Sequence, residues 1–194
     1  MSSVSESKKL KKTKIFDAAF GLFSDKSVHA TAIDEVVKKA GVAKGTFYLY
    51  FKDKYDLLDQ IVIHKTSAVL KSALEFVRNS TRGLSFPEQM AALSDYLLDY
   101  LAVNKKFASL VNKNLSACFR AVTKLSDEEF SEEIKKFTAQ CAKRGYSRDM
   151  AMKFIYVIVN MVGSVGCDAV LDGRPYSIEE IRPIIHMSVM KMLV

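Results

Sequence analysis

The sequence predicts an all-α protein, and three observations support this prediction. The chain has 194 residues and is 49% hydrophobic, so it has enough apolar side chains for a sizeable core. It has only 8 glycines and 3 prolines, the residues that most often interrupt helices. Apolar residues recur at helical spacing along most of the chain. We therefore expect about nine helices, in an N-terminal domain of residues 1–54 and a larger C-terminal domain of residues 55–194.

The N-terminal domain is expected to contain three helices after a polar, disordered segment of residues 1–8. The first helix spans about 18 residues, and its apolar face repeats at helical spacing. Thr31 is placed to cap a second helix, which Gly41 ends because glycine readily adopts a positive φ. A third helical segment, residues 44–50, begins only about three residues later. Two short helices joined by such a tight turn are typical of a helix-turn-helix.

The C-terminal domain is expected to begin with a long helix over residues 53–79, followed by a break at 79–83. Serine capping boxes then mark helices that begin after Ser85, Ser126 and Ser177, and Ser147 begins another. Pro183 is expected to break or kink the last helix. Residues 107–124 have a helical period without clear boundaries.

The charge of the chain lies mostly in its first quarter. Residues 1–54 carry 11 Lys and Arg against 6 Asp and Glu, a net +5 of the total +7. Such a basic domain fits a polyanion, whether DNA, RNA or acidic lipid. Five lysines lie between residues 8 and 14. We expect these lysines to be a solvated tail, to be an arm that enters the minor groove, or to add salt-sensitive affinity for nucleic acid.

Other composition features exclude several classes of site. The three cysteines, at positions 118, 141 and 167, have neither metal-ligand nor redox spacing, which favours a reducing cytoplasm. We predict no metal and no cofactor. The N-terminus lacks an apolar signal core, and the most apolar stretch, residues 154–165, is short for a membrane span. These observations predict no membrane partner.

The segments IFDAAFGLF (15–23) and ATAIDEVVKKAGVAKGTFYLYFKDKYDLL (30–58) resemble the TetR family of bacterial repressors. The core pattern A-G-V-x-K-G-T-x-Y-x-Y-F-x-x-K is specific, although it covers a small part of the chain. The resemblance implies a homodimeric, cytoplasmic regulator of transcription that binds an operator in double-stranded DNA. It also implies a helical C-terminal domain that dimerises and binds a small-molecule effector. Repression is the usual outcome in this family.

Seven residues at and around the third helix are the candidates for contact with DNA: Thr31, Lys44, Gly45, Thr46, Tyr48, Tyr50 and Lys54. A helix is narrow enough to enter the major groove and to present its first side chains to base edges. Gly45 allows a close approach to DNA, while Lys44 and Thr46 reach base edges or phosphates. Tyr50 and Lys54 match family positions that usually hold the DNA backbone.

Four of these residues have a structural alternative, and three neighbours depart from the family pattern. Lys44 and Thr46 would otherwise be solvated residues without a DNA contact. Thr31 either only caps the second helix or also contacts a phosphate. Tyr48 either packs in the core or brings its hydroxyl to a phosphate. Ala43 replaces a frequent Ser, Ala32 a frequent Thr, and Leu49 a frequent aromatic residue or His. Each departure removes a polar contact and leaves the detailed contact map open. Phe47 and Phe51 are expected to face the core.

The last two helices carry apolar stripes that suit a four-helix bundle between two subunits, as the resemblance implies. Eight residues are candidates for this interface: Met161, Val162, Val165, Ala169, Ile178, Ile181, Ile185 and Met192. The same stripes would also suit the internal core of one subunit.

The effector pocket is expected among the helices between residues 61 and 165. Eight residues there are candidates, mostly because a polar tip lies within an apolar period: His64, Tyr96, Tyr100, Asn112, Cys118, Phe119, Tyr156 and Asn160. For each residue, a structural place in the core or on the surface is the alternative. His64 in particular would be a buried, hydrogen-bonded histidine.

Two other functions were weighed against a ligand-controlled regulator. An enzyme is not expected, because His29, His64 and His186 are scattered and no nucleophile motif, acidic pair or phosphate loop is present. The alternative is a DNA-binding regulator or nucleoid-associated protein controlled by a protein partner. A closed apolar cavity in the C-terminal domain would favour the ligand, and its absence the partner.

Overall fold

The computed structural model describes residues 2–115 and 130–194. Within these ranges the chain forms nine helical rods and no strand, which confirms the all-α prediction. The chain divides into two compact units, Met1–His64 and Lys65–Val194. The division therefore falls inside one helix, rather than between residues 54 and 55. The division of functions between these units remains a proposal.

The N-terminal unit contains three helices and the first part of a fourth: α1 (Ser2–Lys26), α2 (Ile33–Ala40), α3 (Lys44–Tyr48) and α4 (Lys54–Ser80). Its core includes side chains that are at most 2% exposed, several of them four residues apart: Ile15, Ala19, Phe23, Val36, Phe47, Phe51, Leu57 and Ile61. The prediction of a disordered segment 1–8 is wrong for residues 2–8, which belong to α1. This stretch contains neither Gly nor Pro, the residues that most strongly interrupt a helix.

The boundaries of α2 differ from the prediction by one residue. Ala32, not Thr31, is the N-cap, and its N–H donates to the Glu35 carboxylate at 2.9 Å. The Thr31 hydroxyl is buried and donates to the carbonyl of Ser27 at 2.7 Å. Thr31 as the cap of α2 was therefore wrong. Gly41 ends α2 with φ +66°, as its position predicted.

The C-terminal unit contains the rest of α4, followed by α5 (Phe86–Val103), α6 (Lys105–Lys113), α7 (Ser131–Ala142), α8 (Arg148–Asn160), a π-helical segment (Met161–Gly166), α9 (Cys167–Leu171) and α10 (Ile178–Met192). The backbone N–H of Ser85 and of Ser177 donates to a glutamate three residues later, at 2.7 and 2.9 Å. The Ser147 hydroxyl accepts from the N–H of Met150 at 3.1 Å. The predicted helix start at Ser126 lies outside the described residues. Helix α10 continues through Pro183 and is not broken there.

Helix α8, the π-helical segment and α9 form one continuous rod over Arg148–Leu171, longer than the apolar stretch seen in the sequence. By length and composition alone this rod is long and apolar enough to cross a membrane. In the structure it packs against α5, α6, α7 and α10. Gly166 permits one of these approaches, since a Cβ there would lie 2.4 Å from Leu98 Cδ2.

Candidate nucleic-acid interface and ligand cavity

Helix α3 is anchored on one side and exposed on the other. Phe47 is fully buried, Phe51 is 2% exposed, and their ring centroids lie 5.5 Å apart, so both face the core as predicted. Lys44 and Gly45 are exposed and Thr46 is half-buried. The first turn of α3 therefore points away from the N-terminal unit while the aromatic side chains hold the helix from behind.

Gly45 has no role inside the fold that would require glycine. Its backbone is helical, and a Cβ built on it would meet no atom within 4 Å. A glycine in a helix costs about 0.5–1 kcal/mol relative to alanine. The N-terminal unit therefore carries a small destabilisation that its own packing does not explain.

Lys44 is held by a carboxylate in the same surface. Its Nζ lies 2.8 Å from Asp34 Oδ1, and both side chains are more than half exposed. The hydrogen bond to Asp34 raises the pKa of Lys44, so the ammonium stays charged at neutral pH. An exposed ion pair contributes little to stability, so Lys44 is readily released to another anion.

Lys54, the first residue of α4, joins the start of that helix to the segment before α2. Its Nζ donates to the carbonyls of His29 and Thr31, at 3.0 Å each. An ammonium has three donors, so one remains for a phosphate oxygen. Tyr55, the next residue, lies under this charge, 5.6 Å from Nζ to the ring centroid.

A shallow depression brings several predicted contact residues together. Thr31, Lys44, Tyr48 and Lys54 line it, together with acidic side chains such as Asp34. Tyr48 is 53% exposed, so it does not pack in the core. The hydroxyl of Thr31 points inward, as described above. Tyr50 is half-buried, with its ring centroid 6.3 Å from that of Phe51, outside the lining of the depression.

The residues that depart from the family pattern are also on this surface. Ala43 is the N-cap of α3 and makes no side-chain hydrogen bond. Leu49 is 78% exposed. The lysines of residues 8–14 are exposed along α1, and Lys12 Nζ lies 5.6 Å from the centroid of the Phe51 ring. Positive charge from α1 is therefore present beside the turn between α3 and α4.

The C-terminal unit contains a partly open cavity of about 440 Å³. Its walls come from α4, α5, α6, α7, α8 and the π-helical segment, and most lining side chains are Leu, Val, Ile, Phe or Met. Such a volume lies within the range of pockets that bind small molecules. The few polar lining residues are Thr66, Arg78, Gln89, Tyr100, Glu133, Lys136 and Gln140. Burial raises the pKa of the Tyr100 hydroxyl, which therefore stays protonated.

The family model described as "Bacterial regulatory proteins, tetR family" matches residues 15–61. This range includes α2, α3 and the part of α1 from Ile15 onward. Over these residues the chain is similar to the TetR family. The match includes the whole candidate nucleic-acid interface except the lysines before residue 15.

Proteins similar to this chain include the fatty acid metabolism regulator protein of Bacillus subtilis. It is 27% identical over 130 residues, 66% of this chain and 61% of that protein. The HTH-type transcriptional regulator AcrR of Shigella flexneri is 40% identical over 62 residues, 32% of this chain and 29% of that protein. The chain therefore matches less than two thirds of the length of either relative.

Solved TetR-like structures show the same fold over nearly the whole chain. The transcriptional regulator FadR from Bacillus subtilis, solved with stearoyl-CoA, has a TM-score of 0.67 and 19% identity, and covers 94% of this chain and 99% of that one. The fatty acid degradation regulator FadR from Bacillus halodurans has a TM-score of 0.66 and 18% identity, with coverage of 93% and 94%. At these identities the likeness concerns the fold.

The structure places one of the eight predicted pocket residues, Tyr100, in the cavity wall. Five others do not line it, and their surroundings explain why. His64 is exposed, with its ring edge-on to Phe16 at 5.4 Å, so it is also not the buried histidine expected. The ring of Tyr96 lies 5.1 Å from that of Phe76, and Asn112 donates to Asp168 at 3.1 Å.

The remaining predicted pocket residues lie on the outer side of α8 or outside the described ranges. Tyr156 is 49% exposed, and the Asn160 amide donates to the Tyr156 carbonyl at 2.8 Å. Cys118 and Phe119 lie outside the described residues. Selecting residues with polar tips was misleading because the cavity wall is mostly aliphatic.

The residues of the predicted interface stripe are divided between buried and exposed positions. Val162, Ala169 and Ile185 are buried inside the C-terminal unit, so they form its internal core. Val165 is 42% exposed. The other four, Met161, Ile178, Ile181 and Met192, are half-buried.

Exposed apolar side chains that the sequence analysis did not select lie on the same helices. They are Val157 on α8 and Ile184 and Met187 on α10, each at least 40% exposed. Each helix has apolar residues on more than one face, and periodicity does not tell which face turns outward. Among the described residues, no cluster of His, Cys, Asp or Glu could hold a metal ion.

Proposed function

We propose that this chain is a DNA-binding transcriptional regulator that holds its operator through the start of α3. The supporting observation is the exposed first turn, Lys44–Thr46, fixed from behind by Phe47 and Phe51. A rigid, narrow helix with donors at its N-terminal end suits the major groove. Gly45 fits this proposal, because a helix without a side chain there can approach DNA closely.

We propose that the remaining contacts hold the DNA backbone. Lys54 keeps one donor for a phosphate, and Lys44 exchanges Asp34 for an anion on the DNA. Tyr48 offers an exposed hydroxyl, and Tyr50 lies beside it in the chain. Thr31 is left out of the side-chain contacts because its hydroxyl is buried and donates to Ser27. These contacts supply affinity that depends on salt, and Thr46 supplies preference for sequence.

We propose further that two copies act together on a palindromic operator. A two-fold dimer places two recognition helices about 34–36 Å apart, or at a multiple of that distance. The exposed apolar residues Val157, Val165, Ile184 and Met187 support pairing through α8, the π-helical segment and α10. Repression and a cytoplasmic location are part of the proposal and follow from the family.

The cavity supports control by a small apolar or amphipathic effector over control by a protein partner. A mostly apolar cavity of about 440 Å³ is suited to a small ligand. The relative solved with stearoyl-CoA makes a chain-like ligand a reasonable class to test. Helix α4 is continuous from Lys54 to Ser80, so a ligand against its second half can shift the position of its first half. The ligand acts only through its different affinities for the two arrangements.

Selection of bound sequences from random duplex DNA tests the proposed function. We expect a palindrome with half-sites about one helical turn apart. Recovery of single-stranded or RNA ligands alone, or of no enriched duplex, would overturn the proposal. A second measurement, release of the selected duplex by candidate effectors, tests the regulatory part separately.

A further inference from the structure

The first helix carries lysines in line with its buried face. Helix α1 buries Ile15 and Ala19 completely in the core of the N-terminal unit. Successive residues of a helix are turned by about 100°, so Lys8, Lys11 and Lys12 lie within about 60° of the direction of Ile15. We call these three residues the lysine stripe. All three are exposed, so α1 extends past the core with lysines on the side that is apolar farther along the helix.

The acidic residues of this part of α1 lie on the opposite side. Glu6 and Asp17 are both exposed and are turned by about 160–180° from the direction of Ile15. The other two lysines, Lys9 and Lys14, lie to either side, about 100–120° from Ile15. Within residues 6–17, the side of α1 that bears the lysine stripe therefore carries positive charge without a carboxylate.

The contact of Lys12 shows where the lysine stripe lies relative to the helix-turn-helix. The Lys12 Nζ lies 5.6 Å from the centroid of the Phe51 ring, and the Phe51 ring lies 6.3 Å from that of Tyr50. Tyr50 is one of the residues that we propose to hold the DNA backbone. The shallow depression lined by Lys44 and Lys54 includes none of these residues. The lysine stripe is therefore a second basic region, beside the turn that follows α3.

We infer that the lysine stripe is an additional contact with the phosphates of duplex DNA, made from a rigid helix. The inference rests on the proposed DNA-binding function of α3. A helix with its side chains is about 10–12 Å wide and the minor groove is about 6 Å wide, so α1 suits the phosphates at the edge of a groove better than the interior of the minor groove. An acidic lipid surface has similar chemistry, but the position beside the helix-turn-helix favours DNA.

The contact adds affinity that depends on salt and does not depend on base sequence. Each neutralised phosphate releases counterions and contributes about 0.9 to the magnitude of the slope of log affinity against log salt concentration. Two lysines that contact phosphates therefore contribute about 1.8 to this slope. A lysine that is merely solvated near the DNA contributes less, so the slope distinguishes a contact from general positive charge.

Two double variants of α1 test the inference, because they remove equal charge from different sides of one helix. Lys8→Gln with Lys12→Gln removes two residues of the lysine stripe. Lys9→Gln with Lys14→Gln is the matched control on the flanks. Lys8→Arg with Lys12→Arg keeps the charge of the stripe. Affinity of the full chain for the selected duplex is measured by fluorescence anisotropy between about 50 and 200 mM salt, and thermal unfolding shows that each variant is folded.

We expect the stripe variant to lower the magnitude of the salt slope by about 1.8, with the largest loss of affinity at the lowest salt. The flank variant and the arginine variant should keep a slope near that of wild type. An unchanged slope in the stripe variant, or an equal decrease in both glutamine variants, would overturn the inference and leave the proposed function intact.

Two further results have distinct meanings. If the DNA slope is unchanged but the stripe variant alone loses binding to vesicles that contain phosphatidylserine, the inference is overturned in favour of a lipid surface. If the folded wild-type chain binds no duplex, the proposed function fails, and the inference fails with it.

Discussion

Replacement of Gly45 by alanine should change stability and DNA affinity in opposite directions. The backbone of Gly45 is helical and the space around its Cβ position is open, so alanine fits without strain. Alanine at a compatible glycine position stabilises a protein by about 0.4–1 kcal/mol, chiefly by restricting the unfolded chain. For a chain of this size we expect the melting temperature to rise by about 1–4 °C.

The same methyl group should weaken binding to the operator. If α3 lies against DNA at Gly45, the added Cβ must displace the helix or the duplex. Overpacking by one or two carbon atoms typically costs about 1–3 kcal/mol. This corresponds to a loss of affinity of about 5- to 150-fold. Thermal unfolding and fluorescence anisotropy with the selected duplex measure the two effects on one preparation.

Gly21→Ala is the matched control, in the same unit but on α1. A Cβ there would lie 3.0 Å from the flexible end of Lys39, which can move. We expect a similar gain in stability and unchanged affinity for DNA. A Gly45→Ala variant that is more stable and binds the duplex as tightly as wild type would refute the placement of α3 against DNA.

Four further outcomes follow from the structure. Lys54→Ala should weaken binding to all duplexes alike and lower the slope of log affinity against log salt concentration by about one. Thr46→Ala should instead relax the preference at particular base pairs. Equal losses of affinity for operator and random DNA in Thr46→Ala would contradict the role of Thr46. Asp34→Asn should raise DNA affinity at low salt, because it releases Lys44 from its ion pair. Unchanged affinity would show that Asp34 does not compete with DNA for Lys44. Val159→Phe should fill part of the cavity and abolish release by effector while leaving operator affinity near wild type, as measured by anisotropy with and without ligand.

A separate prediction concerns acid stability. The hydrogen bond from Lys26, followed by that from the Ala32 N–H, holds the pKa of Glu35 below its ordinary value of 4.5. A carboxyl whose pKa is lower in the folded state adds stability above the unfolded value, and this is lost as the pH falls through the folded value. Denaturant unfolding of Glu35→Gln should therefore show a shallower loss of stability below about pH 5 than wild type. An identical pH profile would contradict this assignment.

The N-terminal helices were predictable because local signals and the motif agree there. Gly41 gives the end of α2, and the spacing of Phe47 and Phe51 gives the buried face of α3. The cap was misassigned because Thr31 and Ala32 are neighbours, and threonine is ordinarily the better cap. Tertiary burial of Thr31 outweighed that preference.

The cavity and the outer faces were less predictable from the sequence. A wall of aliphatic residues has the same pattern as a filled core, so of the six predicted residues that the structure describes, Tyr100 alone lines the cavity. Ile185 and Ile184 are neighbours on α10, yet one is buried and the other exposed.

The most direct measurement is methylation interference on the duplex obtained by selection. Methylation of guanine N7 places a group in the major groove, and methylation of adenine N3 places one in the minor groove. If α3 reads the major groove, N7 methylation within each half-site should block binding of the wild-type chain, at positions related by two-fold symmetry. Binding that is insensitive to every N7 methylation, or blocked only by N3 methylation, would contradict the placement of α3 in the major groove.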